Sequence, residues 1–340
     1  MKKVKILIDM PAAEPKLAEL RAIQGVDIVL VPEPREEIRE LPVEIIAGCE
    51  MFFTTFLPAN HEQMTGLRVV QISSVGYSQL FDHRLNERGI RACNALGVQD
   101  IPIAEWNIAM MINLKRDMRA MMKNHTDRIW DRDIRFQREI CGSTLGIWGY
   151  GGIGRQTARL AQALGLNIHV MTLDGKLENR ANSYSVPGTG DAEGAFPDRF
   201  FSLEQKREFL GGLDFLVITI PLTPRTKGII GEAELDMLPQ HAFILNPARG
   251  PLIQEEALVK VLREKRIAGA ALDTHYYYPM PPEHPLWSMD NVIMTPHISG
   301  SSGSTRFLDR IWDIWVQNVK RYINGETLLN ELSPAQINGQ

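Results

Sequence analysis

Three short polar segments follow apolar runs in the second half of the 340-residue sequence, and they hold the side chains best suited to chemistry. The segments are Asn246-Pro247-Ala248-Arg249-Gly250, Ala271-Leu272-Asp273 and Thr295-Pro296-His297-Ile298-Ser299-Gly300. The guanidinium of Arg249 offers a fork of donors matched to a carboxylate, and the imidazole of His297 titrates near neutral pH. Taken singly, Arg249 could equally close a surface ion pair, and His297 could cap a loop. If the apolar runs are parallel strands, both side chains lie at the same edge of a sheet.

A glycine-rich turn, Gly149-Tyr150-Gly151-Gly152-Ile153-Gly154, separates the apolar run 144–148 from a helical pattern. Gly149 permits a tight turn, Gly151 lets the backbone approach a pyrophosphate, and Gly154 lets helix and strand pack closely. Gly152 and Ile153 then begin the helix, whose free N–H groups and positive end attract phosphate. This context predicts a dinucleotide-binding site.

The residues after the next predicted strand bear on the choice of dinucleotide. That strand normally ends in an acid that accepts hydrogen bonds from the adenosine ribose. Here the place holds Thr172, and Asp174 lies two residues further on. A neutral threonine would not repel a 2′-phosphate, yet Asp174 is close and no arginine follows directly. We therefore expect NAD as the cofactor, without excluding NADP.

Apolar runs alternate with helical patterns along most of the chain, which predicts parallel sheets flanked by helices. The predicted strands are residues 4–8, 26–31, 51–55 and 69–72 in the first part, and residues 144–148, 168–173, 215–220, 242–245, 268–272 and 292–294 in the second. Residues 103–130, with their stripe of core methionines, predict one long helix that leads into the second part. Residues 305–324 predict a last helix that leaves it, with Gly325 as its stop.

We therefore predict an α/β protein with two doubly wound domains, one flavodoxin-like and one of the Rossmann type, with parallel sheets and an inter-domain cleft. The flavodoxin-like domain, expected to bind the substrate, takes residues 1–100 and 302–340. The dinucleotide-binding Rossmann domain takes residues 101–301. The length of 340 residues allows each domain its own core.

Composition narrows the range of partners. The formal net charge of −4 and the lack of a Lys/Arg-rich run argue against nucleic acid. No apolar run approaches the roughly 20 residues that cross a bilayer, so no membrane partner is expected. Cys49, Cys93 and Cys141 are widely spaced, which favours buried thiols in a reducing compartment over a disulfide framework or a metal site. We expect a cytoplasmic protein without a metal.

Together with the glycine turn, the three polar segments resemble the D-isomer-specific 2-hydroxyacid dehydrogenase family, which includes formate and glycerate dehydrogenases. The resemblance extends over residues 67–323. It also includes Ser74-Val75-Gly76-Tyr77, Ile103-Ala104-Glu105, Ile220-Pro221-Leu222-Thr223-Pro224-Arg225-Thr226 and His284-Pro285-Leu286-Trp287. It implies an oxidoreductase that transfers a hydride between a nicotinamide cofactor and C2 of a small anionic 2-hydroxy or 2-oxo acid, the D-isomer of the former.

The resemblance also implies roles for the matched residues. Arg249 corresponds to the family arginine that binds the substrate carboxylate and polarises its carbonyl, and His297 to the acid/base that exchanges the hydroxyl proton. The backbone N–H groups of Val75 and Gly76 would hold the carboxylate. Contacts with the cofactor would come from Pro221, Pro247, Ala248, Asp273 and Gly300. Relatives pair through their nucleotide-binding domains, so we expect a homodimer.

The chain departs from the family where a glutamate usually hydrogen-bonds the histidine, because Tyr278 stands in that place. A carboxylate raises the pKa of a neighbouring imidazole, whereas a neutral phenol can orient the ring but supplies no charge. His297 is therefore expected to stay neutral to lower pH than in its relatives. A neutral imidazole is a ready base for oxidising an alcohol and a poor acid for reducing a ketone.

The departure leaves two other functions open. Formate dehydrogenases also lack the glutamate, which allows hydride abstraction without proton transfer, but Gln99 stands where they have a substrate-binding asparagine. A non-catalytic protein that senses NAD(H) and binds protein partners is the third reading, although it would need neither Arg249 nor His297. Residues 174–213 also form a longer connection than is usual in the family. It is expected to be a surface loop, or else a lid over the adenosine.

Overall fold

The computed structural model describes residues 3–338, and its contacts divide the chain into two compact units. Unit 1 comprises Met1–Gln99, Arg180–Val186 and Ser302–Gln340, and unit 2 comprises Asp100–Asn179 and Pro187–Ser301. The boundaries predicted at 100/101 and 301/302 fall within one residue of two of these. Residues 180–186, which the prediction gave to the second domain, belong to unit 1 instead.

The elements alternate as an α/β protein requires. The strands are β1 (Val4–Asp9), β2 (Val26–Leu30), β3 (Met51–Thr54), β4 (Val69–Ile72), β5 (Arg91–Cys93), β6 (Thr144–Trp148), β7 (Asn167–Met171), β8 (Arg199–Phe201), β9 (Phe215–Ile218), β10 (Phe243–Asn246), β11 (Gly269–Leu272) and β12 (Val292–Met294). The helices are α1 (Glu14–Arg21), α2 (Val43–Ile46), α3 (Asp100–Lys115), α4 (Met118–Asp127), α5 (Gly152–Ala163), α6 (Lys206–Leu210), α7 (Glu232–Leu235), α8 (Glu255–Arg263), α9 (Thr305–Ile323) and α10 (Pro334–Ile337). The sequence did not reveal the three-residue strands β5 and β8.

Unit 1 contains a five-stranded parallel sheet in the order β2-β1-β3-β4-β5, which is the flavodoxin-like order. The central strands β3 and β4 are buried along their whole length, as expected of parallel strands covered on both faces. Helix α9 covers one face: the ring of Phe53 lies 5.6 Å from that of Trp312 and 5.2 Å from that of Trp315. The last helix predicted from the sequence is thus part of the core of unit 1.

Unit 2 contains a seven-stranded parallel sheet in the order β12-β11-β10-β9-β6-β7-β8. In order of appearance within the unit this is 7-6-5-4-1-2-3, the Rossmann order with one further strand. The order reverses at β6, which pairs with β7 on one side and with β9 on the other. Doubly wound sheets bind their ligands beyond the carboxyl ends of the strands at such a reversal. The predicted fold class is confirmed for both units.

The prediction of a single helix over 103–130 is wrong. Helix α3 ends at Lys115 and α4 begins at Met118, because Asp117 adopts a left-handed backbone with φ of +46°. The Asp117 carboxylate accepts a hydrogen bond from the N–H of Ala120 at 3.4 Å and so caps α4. Of the methionines taken as core, Met111 is buried but Met122 is 66% exposed.

The cysteines differ from the prediction in one respect. Cys49 and Cys93 are buried and free, and burial raises the pKa of the Cys49 thiol to about 12. Cys141 is exposed, because it lies in the turn just before β6 and outside both cores. The expectation that all three thiols are buried is therefore wrong for Cys141.

Candidate active site

The glycine turn has the backbone that its sequence predicts. After Trp148, Gly149 adopts a φ of +99°, and α5 begins at Gly152. A Cβ on Gly149 would lie 2.8 Å from the side chain of Ile220, and a Cβ on Gly154 would lie 2.5 Å from the carbonyl oxygen of Gly149. Both positions require glycine, and the turn leads directly into the positive N-terminal end of α5. This cradle fits the pyrophosphate of a dinucleotide.

Asp100 lies beside the first turn of α5, which the sequence did not reveal. A Cβ on Gly152 would overlap the Asp100 carboxylate, and Asp100 itself is buried. Gly151 caps the helix in an extended conformation, and Ile153 is half-buried behind it. The positive end of a helix stabilises a carboxylate in this position. Asp100 therefore adds negative charge close to the place predicted for the phosphates.

A tight turn follows β7 and contains both candidate ribose contacts. The hydroxyl of Thr172 donates to the carbonyl oxygen of Lys176 at 3.1 Å. The N–H of Lys176 donates to the carboxylate of Asp174 at 3.1 Å, and Gly175 between them has φ of +76°. Thr172 is half-buried and Asp174 is exposed. The turn thus places an exposed carboxylate at the end of the second strand of the unit.

Asn246 ends β10 and folds the segment that carries Arg249. Its side-chain amide donates to the carbonyl oxygen of Arg249 at 2.9 Å and accepts from the N–H of Ala248 at 3.1 Å. Pro247 is buried in this turn, and Ala248 is half-buried. The Arg249 side chain is exposed, with one guanidinium donor on the Ala248 carbonyl at 2.7 Å. A guanidinium has five donors, so Arg249 retains donors for an anionic ligand.

Asp273 follows β11 and is fully buried. Its carboxylate accepts hydrogen bonds from the hydroxyl of Thr295 at 2.5 Å, from the N–H of Ile298 at 2.9 Å, and from the N–H and hydroxyl of Ser299. These donors match the roughly four acceptor positions of a carboxylate. Asp273 therefore holds the loop after β12. Its predicted contact with the nicotinamide stays a prediction.

His297 lies in the middle of that loop and has a left-handed backbone conformation, which residues other than glycine rarely adopt. Its φ is +57°, and its N–H donates to the carbonyl oxygen of Asp273 at 2.8 Å. The pKa of the imidazole lies below its ordinary value, first because of burial and then because of the nearby Arg249 guanidinium. Asp273 opposes this shift, and His275 adds to it. Burial and Arg249 are causes that the sequence did not reveal, and the comparison with the histidine of the relatives stays a prediction.

Tyr278 contacts His297 through its ring. The ring centroids are 5.6 Å apart with an interplanar angle of 56°. The Tyr278 hydroxyl accepts a hydrogen bond from the backbone N–H of His275 at 3.2 Å, and the side chain is 60% exposed. The residue that replaces the family glutamate therefore packs against the imidazole and supplies it with no charge. His275 itself carries no signal in the sequence beyond its place two residues after Asp273.

The remaining candidate contacts of unit 2 also lie beyond strand ends. Pro221 is exposed three residues after β9, and its carbonyl oxygen accepts from the Thr226 hydroxyl at 2.7 Å. Gly300 is half-buried and follows Ser299 in the histidine loop. All strand pairs from β6 to β12 are parallel, so the segments carrying these residues, the glycine turn, Arg249 and His297 share one edge of the sheet.

Val75, Gly76 and Gln99 belong to unit 1 and are half-buried there. The carbonyl oxygen of Val75 accepts from the Asn94 side chain at 2.8 Å, and that of Gly76 accepts from the Ser74 hydroxyl at 2.6 Å. Within residues 3–338 the N–H groups of Val75 and Gly76 donate to no protein acceptor. The turn after β4 thus offers two backbone donors for an anion.

The long connection after β7 is fastened to the glycine turn. The hydroxyl of Tyr150 donates to the Asp191 carboxylate at 2.5 Å, and both residues are buried. The guanidinium of Arg155 donates to the carbonyl oxygens of Tyr150, Glu178 and Asp191 at 3.1, 2.6 and 2.7 Å. The side chain of Gln156 accepts from the N–H of Gly190 at 2.7 Å. These bonds make the connection an ordered part of unit 2 on both sides of residues 180–186.

A doubly wound parallel sheet with a glycine turn before its first crossing helix, and with arginine and histidine beyond later strands, defines a dinucleotide-binding oxidoreductase. The model of the D-isomer specific 2-hydroxyacid dehydrogenase, NAD binding domain, matches residues 108–299. A glyoxylate reductase of Aeropyrum pernix is 32% identical over 253 residues, which cover 72% of this chain and 70% of that protein. The chain belongs to the D-isomer-specific 2-hydroxyacid dehydrogenase family.

Two further similarities extend along nearly the whole chain. The D-3-phosphoglycerate dehydrogenase of Methanocaldococcus jannaschii is 29% identical over 338 residues, which cover 98% of this chain; the chain spans 60% of the length of that relative. The solved structure of a D-isomer specific 2-hydroxyacid dehydrogenase from Xanthobacter autotrophicus, in complex with NADPH and MES, has a TM-score of 0.76 at 22% identity. The structural match covers 99% of this chain and 100% of the Xanthobacter chain, so the two proteins have the same fold.

The comparisons confirm the predicted family, its NAD(P)-dependent oxidoreductase chemistry on 2-hydroxy and 2-oxo acids, and its nicotinamide cofactor. No helix within residues 3–338 has the length and apolar character needed to span a membrane. Over the same residues, no group of three or more His, Cys, Asp or Glu side chains is arranged to hold a metal ion.

Proposed function

We propose that this chain interconverts a 2-hydroxy acid and a 2-oxo acid, with Arg249 binding the carboxylate and His297 exchanging the hydroxyl proton. The observation that carries the proposal is the pairing of these two residues at one edge of the unit 2 sheet. Both residues have surface accessible to solvent, the imidazole of His297 is partly covered, and Arg249 is near enough to lower the pKa of His297. Because the guanidinium bears donors for an anion and the imidazole bears a titratable nitrogen, their chemistry is complementary.

The roles follow from the protonation state of His297. A nicotinamide cofactor in the glycine cradle supplies the hydride acceptor or donor. A lowered pKa keeps His297 neutral at neutral pH, so its unprotonated nitrogen accepts the hydroxyl proton of a 2-hydroxy acid. Arg249 neutralises the carboxylate of the same substrate and polarises the oxygen on C2. We therefore propose that the form of the enzyme with neutral His297 is the one that starts oxidation of a hydroxy acid.

Unit 1 carries candidate binding groups of its own. We propose from the family resemblance that the N–H groups of Val75 and Gly76 bind a carboxylate and that Gln99 contributes an uncharged donor or acceptor for a substrate. The free state of both N–H groups within the described chain supports this role. In unit 2, Tyr278 orients the His297 ring through its packing.

We propose NAD as the preferred dinucleotide. The exposed carboxylate of Asp174 at the end of β7 supports this, because it would repel a 2′-phosphate. A more than tenfold preference for NADP in kcat/KM would contradict it.

We further propose that the protein acts as a cytoplasmic homodimer that pairs through α4 and the segment after it. None of the ten residues of α4 is buried. Apolar side chains are exposed there and just beyond: Met122 by 66%, Ile129 by 54%, Trp130 by 91% and Ile134 by 80%. An exposed apolar surface of this kind is typical of a protein interface.

The experiment is a stopped-flow measurement of nicotinamide absorbance with a panel of 2-oxo acids, 2-hydroxy acids and formate. Turnover of hydroxy or oxo acids that falls on the order of 10²–10³-fold in Arg249→Ala supports the proposal. Arg249→Lys keeps the charge but not the fork of donors, and it is expected to fall in between. Turnover of formate alone would favour proton-free hydride abstraction, and cofactor binding without any turnover would favour a sensor. Arg249→Ala that turns over at the parent rate would exclude the role of Arg249.

A further inference from the structure

His275 is a buried histidine whose ring has one polar partner in the described chain. The side chain lies after β11 and is 8% exposed as a residue. Its Nε2 lies 2.8 Å from the carbonyl oxygen of Thr295. A carbonyl oxygen can only accept, so Nε2 carries a proton and donates it to Thr295.

The carbonyl oxygen of Thr295 has a second donor, the backbone N–H of His297 at 3.0 Å. One oxygen therefore receives the imidazole N–H of His275 and the peptide N–H of His297. The peptide N–H of His297 is shared in turn with the carbonyl oxygen of Asp273 at 2.8 Å. These bonds fix the peptide groups on both sides of Pro296, immediately before the left-handed residue that carries the reacting imidazole.

The environment of the other ring nitrogen, Nδ1, indicates that the hydrogen bond from Nε2 is the reason for a histidine at position 275. Nδ1 of His275 is buried and has no hydrogen-bond partner among the described residues. A buried polar atom left without a hydrogen-bond partner costs about 1–3 kcal/mol. An apolar ring would fill the same space without that cost. Only the N–H donated to Thr295 distinguishes histidine favourably from phenylalanine at this position.

The position of His275 is set by the segment that carries Arg249. A Cβ on Gly250 would lie 2.5 Å from the backbone carbon of His275, so the two segments are in direct contact. The hydroxyl of Thr274, the residue before His275, lies 3.4 Å from the carbonyl oxygen of Asn246. His275 thus packs against the segment that carries Arg249 and donates a hydrogen bond to the segment that carries His297.

We propose that His275 is a positioning residue for His297. Its Nε2–H donates a hydrogen bond to the Thr295 carbonyl oxygen. This bond fixes the loop that carries the His297 imidazole near Arg249. The inference rests on the proposed function of His297. It predicts that the position needs a donor where Nε2 stands, and that it needs neither a charge nor an aromatic ring.

The test compares His275→Gln, which can place an amide N–H near the Nε2 position, with His275→Asn, whose shorter side chain reaches only the Nδ1 position, and with His275→Phe. We expect Gln to retain kcat/KM within about threefold and Phe and Asn to lose on the order of 10²-fold, as for a misplaced catalytic group. The loss should fall on kcat, while the affinity for NAD, measured by fluorescence titration, stays unchanged. Equal activity in Gln and Asn, or full activity in a folded Phe variant, would overturn the proposal.

A second measurement separates this inference from the proposed function. Hydrogen exchange of the peptides covering residues 292–300, in the full chain without substrate, is expected to be faster in Phe and Asn than in the parent and in Gln. If the parent protein fails to turn over any hydroxy or oxo acid, the proposed function fails, and the exchange pattern still decides the role of His275. If Phe does not fold, the Gln and Asn variants carry the comparison, and equal exchange in those two variants overturns the proposal.

Discussion

The backbone N–H of His297 donates to the carbonyl oxygen of Asp273 at 2.8 Å, while the carboxylate of Asp273 accepts from the N–H of Ile298 at 2.9 Å. Asp273, just after β11, therefore accepts hydrogen bonds from the peptide groups before and after His297. These two hydrogen bonds explain how His297 is kept at a φ of +57°, a value that residues other than glycine rarely adopt. The imidazole is positioned by the sheet and not by a flexible loop.

The first prediction concerns Asp273→Asn. An asparagine keeps the shape of the side chain but turns an NH₂ group toward donors that need an acceptor. The Thr295 and Ser299 hydroxyls and two peptide N–H groups compete for one remaining oxygen. The free energy of unfolding should fall by about 2–3 kcal/mol, measured by urea denaturation, and kcat should fall with it.

Asp174→Asn is the matched control, because Asp174 is an exposed carboxylate in the same unit. Its effect on unfolding should stay within about 0.5 kcal/mol. An Asp273→Asn variant as stable as this control would show that the loop after β12 is held by something other than the carboxylate.

The second prediction concerns pH. The pKa of His297 lies below its ordinary value of 6.5, because burial and Arg249 disfavour the imidazolium. Oxidation needs the neutral ring, so its kcat/KM should rise through a pKa below 6.5 and stay level above it. Reduction needs the imidazolium, so its kcat/KM should fall as pH rises through the same pKa.

Arg249→Gln removes one of the causes of that shift, so the midpoint should move upward in the variant. A histidine-selective NMR titration gives the same pKa without turnover, with the His297 signal assigned by its loss in His297→Gln. A midpoint above 6.5 in the parent protein would contradict the assigned environment of the ring.

The third prediction concerns the glycine cradle. A Cβ on Gly154 would lie 2.5 Å from the carbonyl oxygen of Gly149, so Gly154→Ala must move either the turn or the helix. Overpacking of this kind costs roughly 1–3 kcal/mol, and NAD should bind about tenfold more weakly. Gly212→Ala is the control, since a Cβ there meets nothing within 4 Å. Equal NAD affinity in the two variants would remove Gly154 from the cradle.

The sequence was most informative where local chemistry and tertiary structure agree. The buried parallel strands are continuous apolar runs in the sequence. The glycine turn has positions that only glycine can occupy. Strand β6, helix α5 and their neighbours were therefore predictable. Arg249 and His297 were predictable from their places beyond two strands. The family resemblance supplied the roles of Val75 and Gly76, which have no chemical signal of their own.

The features that the sequence did not reveal depend on contacts distant along the chain. The break at Asp117 is a left-handed residue inside a continuous apolar pattern, and nothing in that pattern marks it. Residues 180–186 join unit 1 because Tyr184 is buried in its core and its N–H donates to the Asn330 side chain at 2.9 Å. His275 gains its significance from the Thr295 carbonyl, which lies 20 residues away.

The fourth prediction tests the homodimer. Trp130 is 91% exposed and Ile134 is 80% exposed in the single chain. A charge at either position would be buried without a partner in the proposed interface, which is strongly unfavourable. Trp130→Glu and Ile134→Glu should therefore shift the mass measured by light scattering from dimer to monomer. Ile38→Glu, at a 67% exposed position of unit 1, should leave it unchanged. A parent protein that is monomeric would contradict the proposal directly.

The fifth prediction concerns the connection after β7. The buried Tyr150 hydroxyl donates to Asp191, which also accepts from the N–H groups of Ala195 and Phe196 at 2.8 and 3.1 Å. Tyr150→Phe leaves the aspartate short of one donor, so unfolding should become easier by about 1–3 kcal/mol. Hydrogen exchange should speed up in residues 189–196. Tyr277→Phe breaks a similar bond to Glu255, but at an exposed position, and should change stability by less than about 0.5 kcal/mol.

The same variant decides between the two readings of this connection. A lid over the adenosine must open to admit the dinucleotide, so loosening it would speed NAD association and dissociation together. A fixed surface loop has no such step, so Tyr150→Phe would lower stability with both rate constants unchanged. The carbonyl oxygens that Arg155 binds on both sides of residues 180–186 favour the fixed loop, because a guanidinium bonded to the carbonyl oxygens of Tyr150, Glu178, Asp191 and Ala192 resists opening. Stopped-flow NAD binding should therefore give parent-like rates in the variant, and faster rates would indicate a lid.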